Sequence, residues 1–179
     1  GYTNLSIRSL AKESEVSQTA PYRHFKTKKD LYAAVAKQGF EKLNYKMSKI
    51  KVSNPKKYLI NCGKSYIDFG LKNANTYDLM FGTAVGSFID YPELNESANK
   101  LFTLLQANFS KVSKDNDEVI AFKCITLWSM VHGLVGIIRK VNIVGNPNKL
   151  DMGPMPFASE IANNLDEHLD KVVSGIIDN

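Results

Sequence analysis

Cysteine, proline and tryptophan are scarce in this chain of 179 residues, at two, six and one copies, and histidine occurs three times. The two cysteines, Cys62 and Cys124, have no CxxC, no HxxxH and no third ligand nearby, so the sequence encodes neither a structural zinc site nor a redox pair. That usage suits a reducing cytosol. No Val/Ile/Thr-rich alternating run bounded by turns is present, which leaves sheet without a place and predicts an all-α fold. The longest uncharged apolar stretch lies between Lys123 and Arg139 and contains Thr126, Ser129 and His132. A membrane span needs about 18 or more predominantly apolar residues, so no transmembrane helix and no membrane partner are expected. The chain opens Gly1-Tyr2-Thr3-Asn4 without a basic segment leading into an apolar run, so no secretory signal is read and a cytoplasmic location is expected.

What the chain does hold is an ordinary globular composition, 44% hydrophobic and 23% charged, with length for one or two domains. Its charge is unevenly spread. Residues 1–57 carry 13 Lys and Arg against 4 Asp and Glu, a net of +9, and the remainder carries 10 against 14, a net of −4. A block of that sign suits a polyanion, although lysines also serve as solvated helix faces.

Helical periodicity organises the rest. Ser6 is placed to cap a short helix with Ile7, Leu10 and Ala11, and Ser14-Glu15-Val16-Ser17 interrupts it. Ser17 is expected to cap a second short helix to about Phe25. Thr27 or Lys28 begins a third, with Leu31, Ala34, Val35 and Phe40 on one side, to about Ile50. Two short helices and a tight turn outline a helix-turn-helix. Asn54-Pro55 is the clearest breaker. Beyond it helices are predicted near 55–74, 76–86, 93–112, 116–141 and 158–177, with residues 145–156 as the longest loop.

The residues Ser6-Ile7-Arg8-Ser9-Leu10-Ala11, Glu15-Val16-Ser17, Pro21-Tyr22-Arg23-His24-Phe25 and Lys28-Lys29-Asp30-Leu31 go beyond generic pattern. Together they resemble the DNA-binding domain of the TetR/AcrR family of transcriptional regulators. A recognition helix presents its N-terminal residues to base edges, here Gln18, Thr19 and Ala20. Gln can bridge adenine, and Thr and Ala can pack on a thymine methyl. The resemblance implies phosphate contacts from Ser6, Tyr22, His24 and Lys28. Arg8 is the sharpest candidate for reading guanine. The alternative for Tyr22 and His24 is a place in the small domain's core, and for Arg8 a surface charge. Three departures stand out: Glu15 where the family usually has Gly, Pro21 where it has an apolar residue, and a chain that starts where the family's first helix ends, so that an upstream helix is expected.

The second half is expected to bind an effector and to dimerise, as families of this architecture do. Trp128-Ser129-Met130-Val131-His132-Gly133 resembles a TetR subgroup with a Trp-x-x-x-His-Gly signature, and Tyr77-Asp78-Leu79-Met80-Phe81 is similar to it. At about 100° per residue, Ile125, Trp128, His132, Val135 and Arg139 share one side of their helix, whereas Thr126, Met130, Gly133 and Ile137 lie roughly opposite. A helix apolar on both sides must be covered on both. The expected arrangement turns Trp128 and His132 inward and sets Met130, Gly133 and Ile137 against a second subunit, with Ile161, Leu165, Leu169 and Val172 of the last helix. Tyr66, Phe69, Phe81, Phe102, Phe109, Trp128 and His132 are the candidate effector contacts; ordinary core is the alternative for each.

No catalytic set and no cofactor are expected, because Cys124 and His132 stand about 12 Å apart along one helix. These readings combine as an all-α protein with a helix-turn-helix DNA-binding domain over 1–50 and a helical-bundle ligand-binding and dimerisation domain over 51–179. The function expected is a homodimeric regulator, a repressor, that binds double-stranded, pseudo-palindromic operator DNA and is released by a small apolar effector. The rival is an all-α small-molecule-binding protein or enzyme whose basic face does not bind DNA specifically.

Overall fold

Where the first turn closes, at Glu15, the backbone takes a left-handed conformation with φ 54°. A computed structural model describes residues 11–13, 15–144 and 153–178, and among these every regular element is helical. Residues 11–13 end a helix. The Val16 amide donates to the Ala11 carbonyl at 3.0 Å and the Glu15 amide to that of Lys12 at 3.2 Å. This is the Schellman pairing, which requires a left-handed residue at the Glu15 position. Glu15 stands where the family usually has Gly, so the turn is strained, at about 1 kcal/mol for a residue with a Cβ.

The second short helix departs from expectation. Residues 18–20 form turns, and between Ser17 and Phe25 the helical segment is a 3-10 turn, Pro21–Arg23. Pro21 has no N–H to offer the Ser17 carbonyl, which accepts instead from the Ala20 amide at 2.9 Å, so the chain winds more tightly than an α-helix. Nor does Ser17 cap it: its hydroxyl lies 3.3 Å from that of Thr19.

Helix α1, Lys28–Ser48, starts from a reciprocal cap. The Asp30 amide donates to Thr27 Oγ1 at 3.1 Å, and the Thr27 amide donates to the Asp30 carboxylate at 2.9 Å. Asn54 caps α2, Pro55–Lys72, by accepting from the Lys57 amide at 2.9 Å, with Pro55 at the first helical position where no N–H is missed. Then come α3, Ala74–Phe81, a 3-10 turn Phe88–Asp90, and α4, Pro92–Phe109. The expected helix to residue 86 stops at Phe81 because Gly82 is extended and Gly86 has φ 75°.

Helix α5 runs Asp117–Val144, its first turn capped by Asn116, which accepts from the Val119 amide at 3.0 Å. It is long and apolar enough to cross a membrane by length and composition, contrary to expectation. The count between Lys123 and Arg139 left out the apolar turns beyond both cations. Here nine of its residues are buried, Lys123 among them, as in a core helix. The single last helix expected over 158–177 is two: α6, Met155–Asn163, and α7, Leu165–Asp178. Asn164 leaves the helical region at φ −118°, ψ 38°, and its side-chain amide donates to the Glu160 carbonyl at 3.2 Å. Short polar side chains compete with the helix for its own carbonyls in this way.

The chain divides into two compact units, one of Gly1–Lys42 with Asn73–Asn99, the other of Leu43–Lys72 with Lys100–Asn179. In the first, Phe40 meets Phe81 and Phe88 edge-on at 5.3 and 6.0 Å between centroids. Gly39 lets Met80 come close: a Cβ there would lie 2.4 Å from its sulfur. Tyr91 donates to Asp30 at 3.1 Å, and Lys37 pairs with Glu93. In the second unit α2 packs on α5 and α7, and α5 also on α6 and α7. Leu59, Ile67, Phe69, Leu127, Val135 and Leu169 are fully buried. The buried Lys123 joins Asp115 at 2.7 Å and the Ile177 carbonyl at 3.1 Å, tying the start of α5 to the end of α7.

Glu15→Gly is expected to raise stability by about 1 kcal/mol, because Gly adopts the left-handed position without the Cβ penalty. Urea unfolding of the full chain measures it. Glu15→Ala, which keeps the Cβ, should bring no comparable gain.

Candidate functional site

The basic segment after the first turn is open to solvent. Gln18, Thr19, Tyr22, Arg23, His24, Lys26 and Lys29 are exposed, Ala20 and Lys28 are half-buried, and the 3-10 turn buries none of its residues. Gln18, Thr19, Ala20, Tyr22 and His24 are thus gathered in one short polar segment, and the Lys28 ammonium sits over the Tyr32 ring, 5.4 Å from its centroid. Ser6 and Arg8 lie outside the described residues. Arg23, Lys26 and Lys29 join this surface without having been singled out in the sequence; the excess of positive charge was their only signal.

In the second unit the structure brings together Tyr66 of α2 with Trp128 and His132 of α5. Trp128 Nε1 donates to the Tyr66 hydroxyl at 3.0 Å, and that hydroxyl lies 3.1 Å from His132 Nδ1. An indole N–H can only donate, so the Tyr66 oxygen accepts from it, and that hydroxyl shares a second hydrogen bond with Nδ1. Burial, and to a lesser degree the Arg139 guanidinium, hold the imidazole below its ordinary value of 6.5, which favours its neutral form. Arg139 donates to the Gly70 carbonyl at 2.7 Å, one turn beyond Tyr66 on α2.

The inward turn expected of Trp128 and His132 is corrected by this geometry. The buried side of α5 is centred on Leu127, Val131, Leu134, Val135 and Ile138, while Trp128 is 38% exposed and His132 half-buried. Both stand on the flank of the helix, as does Ile125, which is exposed. Among the other effector candidates, Phe69 and Phe109 are fully buried and Phe102 half-buried. Phe81 belongs to the first unit, where its ring meets Phe40 and Tyr77.

Opposite the buried side, Phe122, Thr126, Ser129, Gly133, Gly136 and Ile137 are exposed, and nothing lies within 4 Å of a Cβ built on Gly133 or Gly136. Met130, Ile161, Leu165 and Val172 are half-buried. Leu169 differs from the rest of its expected set: it is fully buried against Gly63, whose Cβ would lie 3.3 Å from it, and has no surface left for a partner.

No cluster of three or more His, Cys, Asp or Glu suited to a metal occurs among the described residues. Burial pushes the Cys62 thiol up to about 12 and Cys124 to about 11, so neither is a thiolate at neutral pH.

The sequence matches the tetR family of bacterial regulatory proteins over residues 1–35 and a tetracyclin repressor-like C-terminal domain over residues 59–151. An exposed basic segment on a helix-turn-helix, followed by an all-helical domain, defines a DNA-binding transcription regulator. The chain belongs to the TetR family. Its fold is shared with a protein of unknown function from Rhodococcus sp. RHA1, at 20% identity and TM-score 0.68 over 97% of this chain and 81% of that one. It is also shared with SCO4313, a proposed regulatory protein, at 16% identity and TM-score 0.66 over 98% and 87%. No curated protein matches the sequence.

The protonation state of His132 sets a pH dependence. Its folded value is depressed, so between that value and 6.5 the unfolded chain binds more protons. Stability is full above 6.5 and is lost as pH falls from there through the folded value. Trp128 is the sole tryptophan, so its fluorescence follows urea unfolding of this region. The unfolding midpoint should drop from about pH 7.5 to about pH 5.5, and His132→Gln should lose part of that drop.

Proposed function

We propose that this protein is a one-component, ligand-responsive repressor in the cytoplasm, and not an enzyme. As a homodimer it binds a pseudo-palindromic operator through residues 1–50, and residues 51–179 bind a small apolar effector and form the dimer. The observation that carries this reading is the division of labour around α5. One side fills the core of its own unit, the flank holds the Trp128–Tyr66–His132 chain, and the remaining side leaves Phe122, Gly133 and Ile137 exposed.

In this reading Met130, Gly133 and Ile137, with Ile161, Leu165 and Val172, meet the second copy. Gly133 and Gly136 supply the small side chains that let two helices approach closely. Tyr66, Phe102, Trp128 and His132 face the effector, with Phe69 and Phe109 as the wall behind. Two-fold symmetry of the dimer then implies two operator half-sites, one for each reading segment. An effector that binds the off-operator geometry more tightly lowers operator affinity by that difference in binding free energy.

Selection of bound duplexes from a random pool, with the full-length protein, tests operator binding directly. On the selected operator, Arg8→Ala and Gln18→Ala should relax discrimination at particular bases by about 1–3 kcal/mol for each bidentate pair of hydrogen bonds removed. Lys28→Ala should instead weaken all sequences alike and reduce the salt slope by about 1. Altered base preference in Lys28→Ala, with none in Arg8→Ala, would reverse these roles.

For the dimer, Gly133→Glu places a bulky charge in the open stripe of α5. Sedimentation should show a dimeric parent and a monomeric variant. A monomeric parent, or a variant that stays dimeric, removes this face from the interface.

A further inference from the structure

The first compact unit joins two stretches far apart in the chain, and they meet at the start of α1, next to the reading segment. There the two oxygens of the Asp30 carboxylate have different donors. Oδ2 accepts from the Thr27 amide at 2.9 Å, closing the cap, and Oδ1 accepts from the Tyr91 hydroxyl at 3.1 Å. A cap carboxylate with one donor can still turn about its side-chain bonds, whereas a donor on each oxygen fixes both its plane and its position. These bonds, that of the Thr27 amide foremost, hold the Asp30 carboxyl below its ordinary range, so it is an ionised acceptor at neutral pH.

Tyr91 is in turn held by α1. Its amide donates to the Phe88 carbonyl at 2.9 Å, closing the 3-10 turn, and the Phe88 ring meets Phe40 of α1 edge-on at 6.0 Å. Pro92 follows and restricts the backbone before it, which keeps Tyr91 out of the helix at φ −129°, ψ 75°. Two residues on, Glu93 pairs with Lys37. The hydroxyl is thus flanked by an aromatic and an ionic anchor, both on the helix whose cap it completes.

We propose that Tyr91 is a positioning residue for DNA reading: through Asp30 it fixes the Thr27 cap, and with it the point at which Gln18 to His24 join α1. This rests on reading residues 1–50 as the operator-binding segment, and adds a determinant of affinity from outside them. The 3-10 turn of that segment buries none of its residues, so an anchor at its C-terminal end limits the conformations it gives up on binding. Tyr91 need touch no DNA to act in this way.

Tyr91→Phe removes the hydroxyl and keeps the ring. On the operator selected with full-length protein it should lower affinity about fivefold, the worth of one hydrogen bond. The loss should be equal for the matched operator and its single-base variants, and the salt slope should stay that of the parent, because neither a base contact nor a phosphate contact is removed. In a double-mutant cycle with Asp30→Ala, the further loss on Tyr91→Phe should be less than about twofold, since the group it acts through is already gone. Hydrogen exchange without DNA supplies a second readout: the Thr27 and Asp30 amides should exchange faster in Tyr91→Phe, while those from Val35 to Phe40 keep the protection of the parent.

Parent affinity in Tyr91→Phe, an equal loss with and without the Asp30 carboxylate, a reduced salt slope, or lost protection that extends through α1 overturns the positioning role. A full-length parent that selects no duplex overturns the operator reading, and this role falls with it. A parent that binds its operator, matched by the variant, removes the role of Tyr91 alone.

Discussion

Helix α5 buries Leu127, Val131, Leu134, Val135 and Ile138 along one side, and at 3.6 residues per turn the residues half a turn away cannot reach the same core. Yet that far side carries Phe122 and Ile137 together with Gly133 and Gly136, where nothing among the described residues lies within 4 Å of an added Cβ. Glycine in a helix interior costs roughly 1 kcal/mol relative to alanine, and nothing within this unit offsets it at Gly133 or Gly136. Gly63 of α2 is the instructive contrast. There the absent side chain admits Leu169 and Val131, and the close packing of three helices depends on it. In the proposed reading, the open positions at Gly133 and Gly136 face the second copy.

The flank between these two sides is where polar chemistry enters. Trp128, His132 and Arg139 are neither deep enough to be ordinary core nor exposed enough to be solvated surface, and each is held by a hydrogen bond to α2. The indole can only donate, so Trp128 gives its proton to the Tyr66 oxygen, which also shares a hydrogen bond with His132. Partial burial and the nearby guanidinium act against a second proton on the imidazole ring.

How much of this was legible in the sequence depends on whether the governing interaction is local. Asn54-Pro55 read correctly as a helix start because capping and a fixed φ act within one turn, and Thr27 for the same reason. Glu15 was visible as an anomaly, although only the backbone shows that it adopts the left-handed conformation. Pro21 stood out as a departure, but its consequence, a 3-10 turn where a short α-helix was expected, depends on where the Ser17 carbonyl turns next. The break at Asn164 escaped a pattern that stays apolar through Ile161, Leu165 and Leu169, since periodicity is blind to a single polar side chain bonding one turn back. The faces of α5 were harder still. With apolar residues all round, the sequence contains no phase, and the burial of Leu127 over Trp128 is decided by α2 and α7. Leu169 shows the same limit from the other side: its place in the apolar run of the last helix suits an interface, and it is buried against the glycine at position 63.

The reading segment poses a different problem, because it buries nothing. A 3-10 turn of three residues without a core residue has little stability of its own, so its position is set by its two ends. On one side is the Schellman closure around Glu15, weakened by about 1 kcal/mol of left-handed strain. On the other is the Thr27 cap of α1, of a kind that contributes about 1 kcal/mol, and the Asp30 carboxylate in that cap also accepts from Tyr91. These terms are of the same order as one bidentate contact to a base, about 1–3 kcal/mol. A segment that buries none of its turn residues thus owes its winding to two local closures, the Schellman pairing at Glu15 and the cap at Thr27.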